Sequence, residues 1–166
     1  VGSDDRRTPT WLTDLVRTEF DLVWDCAASE SNSVAPQWFG QGSPACIEDA
    51  LVMRWRDAVD VQAPTAPGSA LWLNPPFSRG QIKRWLPRIE EAARDGLTTV
   101  CLLPTDTSTD YFRWAQAFEM RGVGRLIFET PTGPHLSKAG KPTPAWVASM
   151  LVIVRPAHFR QEYIFL

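Results

Sequence analysis

Histidine and cysteine are scarce in this chain, and their scarcity removes several kinds of chemistry. Only His135 and His158 occur, so a histidine-rich metal centre is excluded and no metal-binding residues are assigned. The three cysteines, Cys26, Cys46 and Cys101, are odd in number and contain no Cys-x-x-Cys pair. That excludes a zinc cage of that type and points to a reduced setting. No apolar run approaches the length needed to cross a bilayer, so no membrane partner is expected, and no secretory segment precedes the first predicted helix. There is no glycine-rich loop of the kind that cradles phosphates. Internal repeats and low-complexity tracts are also missing.

What remains is 166 residues, 44% hydrophobic and 22% charged, enough for one domain with a substantial core. Val1 to Ser3 are set aside as an expression remnant, leaving a single expected domain over 4–166. The net charge of −2 argues at first against a nucleic-acid partner, but the charges are unevenly placed. Acids dominate from Asp21 to Asp60, whereas Arg121, Arg125, Lys138, Lys141, Arg155 and Arg160 outnumber the acids later. Two solvated faces explain this as well as an acidic pole for a cationic ligand and a basic pole for phosphates.

Thr8-Pro9 reads as a helix start, with Thr8 as N-cap, Pro9 at the first helical position, and Leu12, Leu15 and Val16 as the apolar stripe. Leu22 to Trp24 predicts a strand, and a brief one is expected near Trp38-Phe39. "IEDALVMRW" is left open between loop and short helix, and "DVQAPTAPGS" reads as a connector. Ala70 to Leu73 is a buried strand followed by a helix with Ile82, Trp85, Leu86 and Ile89 at helical spacing. That helix closes at Asp95-Gly96, with Pro87 predicting a kink or restart. Thr98 to Pro104 is a second buried strand, so the pair should be parallel. A helix from about Asp110 to Met120, a strand from Arg125 to Phe128, a mobile Glu129–Pro144 loop and a final strand in "AWVASMLVIVRP" complete the reading. The fold class is α/β, a single domain with a mostly parallel central sheet flanked by helices.

The informative stretch is "ALWLNPPFSRG". Pro75 and Pro76 cannot donate to a ladder, so they end the strand abruptly, and Asn74 is pushed toward an extended conformation. The turn presents an amide, a carbonyl and a ring at a strand's C-terminal edge, where open α/β sheets bind ligands. Such a turn suits an aromatic amine, whose nitrogen lone pair is delocalised into its ring. Acceptors on Asn74 and Pro75 aimed at the amine hydrogens would localise that lone pair, and Phe77 offers a stacking face. The prolines hold the acceptors in place beforehand. The competing explanation, a strand-ending turn with a packed ring, is the weaker one in this context.

"NPPF" resembles the catalytic motif of amino-group nucleic-acid methyltransferases. Further stretches in the same order, "TPTWL", "FDLVWDCAAS", Asn32, "EDAL", "LWLNPPF", "LLPTDT" and "GRLIF", are similar to the phage-type DNA N6-adenine methyltransferases across nearly the whole chain. The resemblance implies a Rossmann-like domain that uses S-adenosylmethionine to methylate the exocyclic N6 of adenine in DNA, with the base flipped out. Asn74, Pro75, Pro76 and Phe77 would form the catalytic turn. Thr8, Pro9, Asp25, Cys26, Ala27, Ala28, Asn32, Asp49 and Ala50 would hold the cofactor, although a helix cap suffices for Thr8-Pro9 and for Asp49. Glu30 is the candidate for the ribose-binding acid. Arg79, Lys83, Lys138 and Lys141 are the phosphate candidates, against a solvated-face explanation. Most of the eight tryptophans are read as core, with Trp38 and Trp114 as candidates to line a pocket. No separate recognition domain is evident, so a homodimer or an accessory specificity subunit would be a partner. The expected location is the cytoplasm of a bacterial or phage-infected host cell. Cytosine N4, RNA or a protein glutamine are alternative substrates, and a non-catalytic cofactor- or DNA-binding subunit is the alternative of another class.

Overall fold

The computed structural model describes residues 7–44, 49–62, 66–78, 80–130 and 132–160, with only the backbone at 60–62 and 160. The elements are α1 (Thr10–Arg17), β1 (Asp21–Asp25), β2 (Gln37–Trp38), α2 (Trp55–Gln62), β3 (Ser69–Leu73), α3 (Gln81–Arg94) and β4 (Thr99–Pro104). They continue with α4 (Asp110–Ala115), β5 (Glu119–Gly124), β6 (Glu129–Thr130), β7 (Gly133–Pro134), β8 (Ser149–Val154) and α5 (Ala157–Arg160). Six strands form one sheet in the order β2-β1-β3-β4-β8-β5. The first four pair in parallel, and β8 runs antiparallel to both β4 and β5. This is the α/β architecture expected from the sequence.

Strand alternation divides the core between two sheet faces. Leu71, Leu73, Cys101, Leu103, Met150 and Val152 pack with Trp55, Ile82, Trp85 and Ile89 on the face of α2 and α3. Ala70, Trp72, Val100, Leu102, Leu151 and Ile153 pack with Leu12 and Val16 of α1 on the other. β1 breaks the alternation, because its pairing with β3 shifts register between Leu22 and Trp24. Leu22 therefore joins the α1 face while Trp24 and Cys26 join the other, two residues apart on opposite sides.

Several boundaries differ from the sequence reading. Pro9, not Thr8, occupies the N-cap of α1, and no side chain of its own caps the helix. The cap comes from far away: the Glu129 carboxylate accepts from the Thr10 backbone N–H at 3.2 Å and from its hydroxyl at 3.2 Å. Leu15 is exposed, so the α1 stripe is Leu12, Thr13 and Val16. α2 starts at Trp55 and runs into the stretch read as a connector. α3 continues through Pro87 without a restart, because its buried face, Ile82, Trp85, Ile89, Ala92 and Ala93, docks on the sheet.

After β4 the divergence is larger. α4 ends at Ala115 and β5 begins at Glu119, where pairing with β8 recruits residues expected to be helical. Gly124, at a φ of 86°, then turns the chain out of the sheet, so Arg125 to Phe128 is not a strand. Leu126 and Phe128 are nevertheless buried. The segment expected to be a mobile loop carries the β6–β7 pair and a bridge between Leu136 and Pro142. Only Ser149–Val154 of the expected final strand pairs, leaving Ala145 to Ala148 as a loop.

Candidate active site

β1 and β3 are neighbours although the chain leaves β1 toward β2, so a topological switch lies between them. Crevices at such points, at the C-terminal ends of the strands, are the usual ligand sites of open sheets. A cavity of about 600 Å³ opens there, lined by the turns after β1, β2 and β3 together with Thr8, Asp49, Ala50, Trp85 and Phe128. The volume suits a small organic ligand.

The cavity brings together Thr8, Asp25, Cys26, Ala27, Ala28, Asn32, Asp49, Ala50, Asn74, Pro75, Pro76 and Phe77, which lie far apart in the sequence. Pro9 is buried ahead of α1 and outside the lining. Lys83 is exposed and paired with Asp110 at 2.7 Å, on a helix beside the cavity and not in its wall. Lys138 and Lys141 are exposed on one tight turn, closed by the Ser137 N–H on the Lys141 carbonyl at 2.7 Å. Arg79 falls outside the described residues. Trp38 and Trp114 do not line the cavity: the Trp114 indole donates to Glu90 and the Trp38 indole to the Gln41 carbonyl. Trp72 and Trp85 line it instead, serving the core and the cavity wall at once.

Each wall has a local cause. The prolines end β3 so that Asn74 sits at the rim, and its side-chain N–H₂ donates to the buried Thr8 hydroxyl at 3.2 Å. Among the described residues, Asn74 Oδ1 takes no hydrogen bond, so that side chain keeps a free acceptor. Glu129 fixes the Thr8 segment twice, through Thr10 and through backbone pairing with Arg7. Phe77 is 37% exposed and meets Phe128 edge to face, with ring centroids 6.2 Å apart.

Asp25 ends β1 and is buried, 3% exposed. Its oxygens accept the N–H groups of Ala27 at 3.2 Å and Val34 at 3.1 Å, folding the loop over the cavity. Burial outweighs those two bonds and pushes its pKa up to about 7. Burial also raises the Cys26 thiol, helped by nearby Asp25 and Cys101, so the thiol is neutral and belongs to the core. The Cys26 N–H stitches β1 to β3 through the Trp72 carbonyl at 2.8 Å.

Asn32 closes its turn by accepting the Ser29 N–H at 2.7 Å, and Asp49 accepts that of Leu51 at 2.9 Å. Both have structural work in addition to their places in the wall. Sequence reasoning missed Phe39, Gly40, Gln41, Trp85 and Phe128 as lining residues. Gln41, not an acid, follows β2 in the cavity wall, and Glu30 is exposed and outside it. Gly40 carried the one available sign, a glycine beside an aromatic. At a φ of 138° its Cα faces the Ala28 carbonyl so closely that a Cβ would overlap the oxygen.

A small-molecule cavity at the switch point of a mostly parallel sheet, with an amide-bearing turn on its rim, defines an α/β domain of the ligand-binding kind. The chain belongs to the DNA N-6-adenine-methyltransferase (Dam) family, whose model matches residues 2–166. No curated protein matches it. The family supports DNA adenine N6-methyltransferase activity, with DNA as substrate. No helix among the described residues is long and apolar enough to cross a membrane.

Proposed function

We propose that this chain transfers a methyl group from S-adenosylmethionine to the N6 amino group of an adenine extruded from duplex DNA. The observation that carries the reading is the Asn74 amide, held from behind by Thr8 at the rim of a cavity that also contains Asp25 to Ala28. The cavity fits the cofactor on its own terms. Ala27, Ala28 and Gly40 put nothing larger than a methyl group into its wall, and Asp25 places a buried carboxyl suited to a cationic ligand. Asp25, Cys26, Ala27 and Ala28 would hold the methionine portion, and Asp49, Ala50, Phe39 and Gln41 the nucleoside portion. When bound, the cofactor supplies an electrophilic methyl group on a sulfonium.

The chain's own residues do the rest. Asn74 Oδ1 and the Pro75 carbonyl accept the two amine hydrogens and draw the nitrogen toward tetrahedral geometry, freeing its lone pair for the methyl carbon. Phe77 stacks on the extruded base and Phe128 supports the Phe77 ring from the side. The nitrogen's surplus proton leaves to solvent after transfer, and no dedicated base is required.

The test is to incubate the protein with S-adenosylmethionine and unmethylated duplex DNA, digest to nucleosides and identify the product by mass spectrometry. N6-methyladenine, abolished by Asn74→Ala in a folded variant, is the expected result. N4-methylcytosine would correct the substrate and keep the mechanism. Full activity of Asn74→Ala would overturn the mechanism, and cofactor binding without product on any DNA would favour a subunit that needs a partner.

A further inference from the structure

Trp146 is 93% exposed, the most exposed of the large apolar side chains described. Tryptophan is on average a heavily buried residue and is enriched at interfaces, so its place in the fold and its surroundings decide what an indole left in solvent can do. Its place in the fold is fixed from both sides. The Ala145 N–H bonds the Leu126 carbonyl at 2.6 Å, Arg125 Nε donates to the Ala145 carbonyl at 2.8 Å, and the Ala148 carbonyl accepts the Thr105 N–H at 2.7 Å. Trp146 is thus carried on a loop pinned to the sheet edge that holds the cavity. Leu126, its backbone anchor, lies two residues before Phe128 in the cavity wall.

The surrounding chain is unusual in its charge. From Thr130 to Arg160 the sequence contains no Asp or Glu, while Lys138 and Lys141 occupy one tight turn of the same hairpin region. The chain as a whole is acidic, so this stretch is a local exception. An exposed aromatic on an acid-free strap fits a polyanion with stacked rings.

We infer that Trp146 inserts into the DNA base stack, filling the gap left when the target adenine is extruded, with Lys138 and Lys141 on flanking phosphates. The inference rests on the DNA-methylating reading above and adds the residue that stabilises the opened duplex. Removal of a base leaves its neighbours unstacked, and a planar indole restores stacking contact at that step. Phe77 receives the base inside the protein, and Trp146 takes its place outside.

The test uses the full chain and first locates the methylated adenines by sequencing DNA treated with the wild type. Trp146→Ala and Trp146→Phe are then compared on that duplex and on the same duplex with an abasic site opposite the target adenine. Base–aromatic stacking of ~1–3 kcal/mol corresponds to a loss of roughly 5- to 150-fold for Trp146→Ala on the matched duplex. The loss should shrink on the duplex where extrusion is cheap, Trp146→Phe should recover part of it, and S-adenosylmethionine affinity should be unchanged. No loss on the matched duplex, or an equal loss on both duplexes, overturns the assignment. Absence of methyladenine with the wild type would instead overturn the DNA-methylating reading itself.

Discussion

Asn74 and Thr8, 66 residues apart in the chain, meet at 3.2 Å, with the amide nitrogen of one on the hydroxyl oxygen of the other. An asparagine amide can present either its oxygen or its nitrogen to a cavity, and only the oxygen can accept from an amine. Here the Thr8 hydroxyl accepts from the nitrogen, which leaves the amide oxygen free to accept before substrate arrives. We propose Thr8 as a positioning residue for this chemistry, since it holds the amide by its nitrogen. Its part in binding cofactor, implied by resemblance, is a separate proposal.

Thr8→Val removes the oxygen and keeps the shape. Turnover should fall by about 10-fold or more, the cost of a misoriented polar group. The S-adenosylmethionine dissociation constant should change much less, and Thr8→Ser should recover turnover. Steady-state kinetics with calorimetric cofactor binding separates the two effects. A loss of cofactor affinity with turnover preserved would assign Thr8 to the cofactor instead.

Glu129 holds the segment that carries Thr8, so it should act through the same route. Glu129→Ala leaves the first N–H of α1 without its distant cap, at a cost of ~1 kcal/mol to the helix. Thermal melting should show a modest decrease in Tm, while turnover falls in parallel with Thr8→Val. Combining the two substitutions should cost little beyond either one, because both release the same strap.

Gly40→Ala should be among the most damaging single changes. The added methyl collides with the Ala28 carbonyl, a backbone atom that cannot rotate away, at a φ that L residues avoid. A destabilisation of more than about 3 kcal/mol is expected, read by urea unfolding. Cofactor binding should weaken with it, since the Ala28 N–H also bonds the Phe39 carbonyl at 3.1 Å across the cavity neck.

Asp25 predicts a pH dependence with a definite sign. Its carboxyl titrates near 7 in the folded protein, raised by burial, against about 4 when unfolded. Between those values the folded state holds a proton that the unfolded chain has lost. Stability therefore falls as pH rises from about 4 to about 7, and this contribution is constant above that. Asp25→Asn should flatten the trend. Unfolding free energies of both proteins at pH 5 and pH 8 check it.

The strand-ending Asn-Pro-Pro-Phe turn, the buried strands beside it and the small residues after Trp24 were legible in sequence because each is a local constraint. Proline removes donors wherever it stands, and a short apolar run bounded by turn residues reports a buried strand without knowledge of its neighbours. The order of strands, the antiparallel insertion of β8 and the start of β5 at Glu119 were not legible, because pairing partners decided them against local helical periodicity. Phe128 and Gly40 reach the cavity through long-range contacts, and Thr8 meets Asn74 on a segment held by the packing of α1 and by Glu129. The sequence by itself determined which groups are available for chemistry and which strand end presents them. Tertiary structure decided which group each of them faces, because hydrogen bonds and packing between distant segments have no counterpart in local spacing.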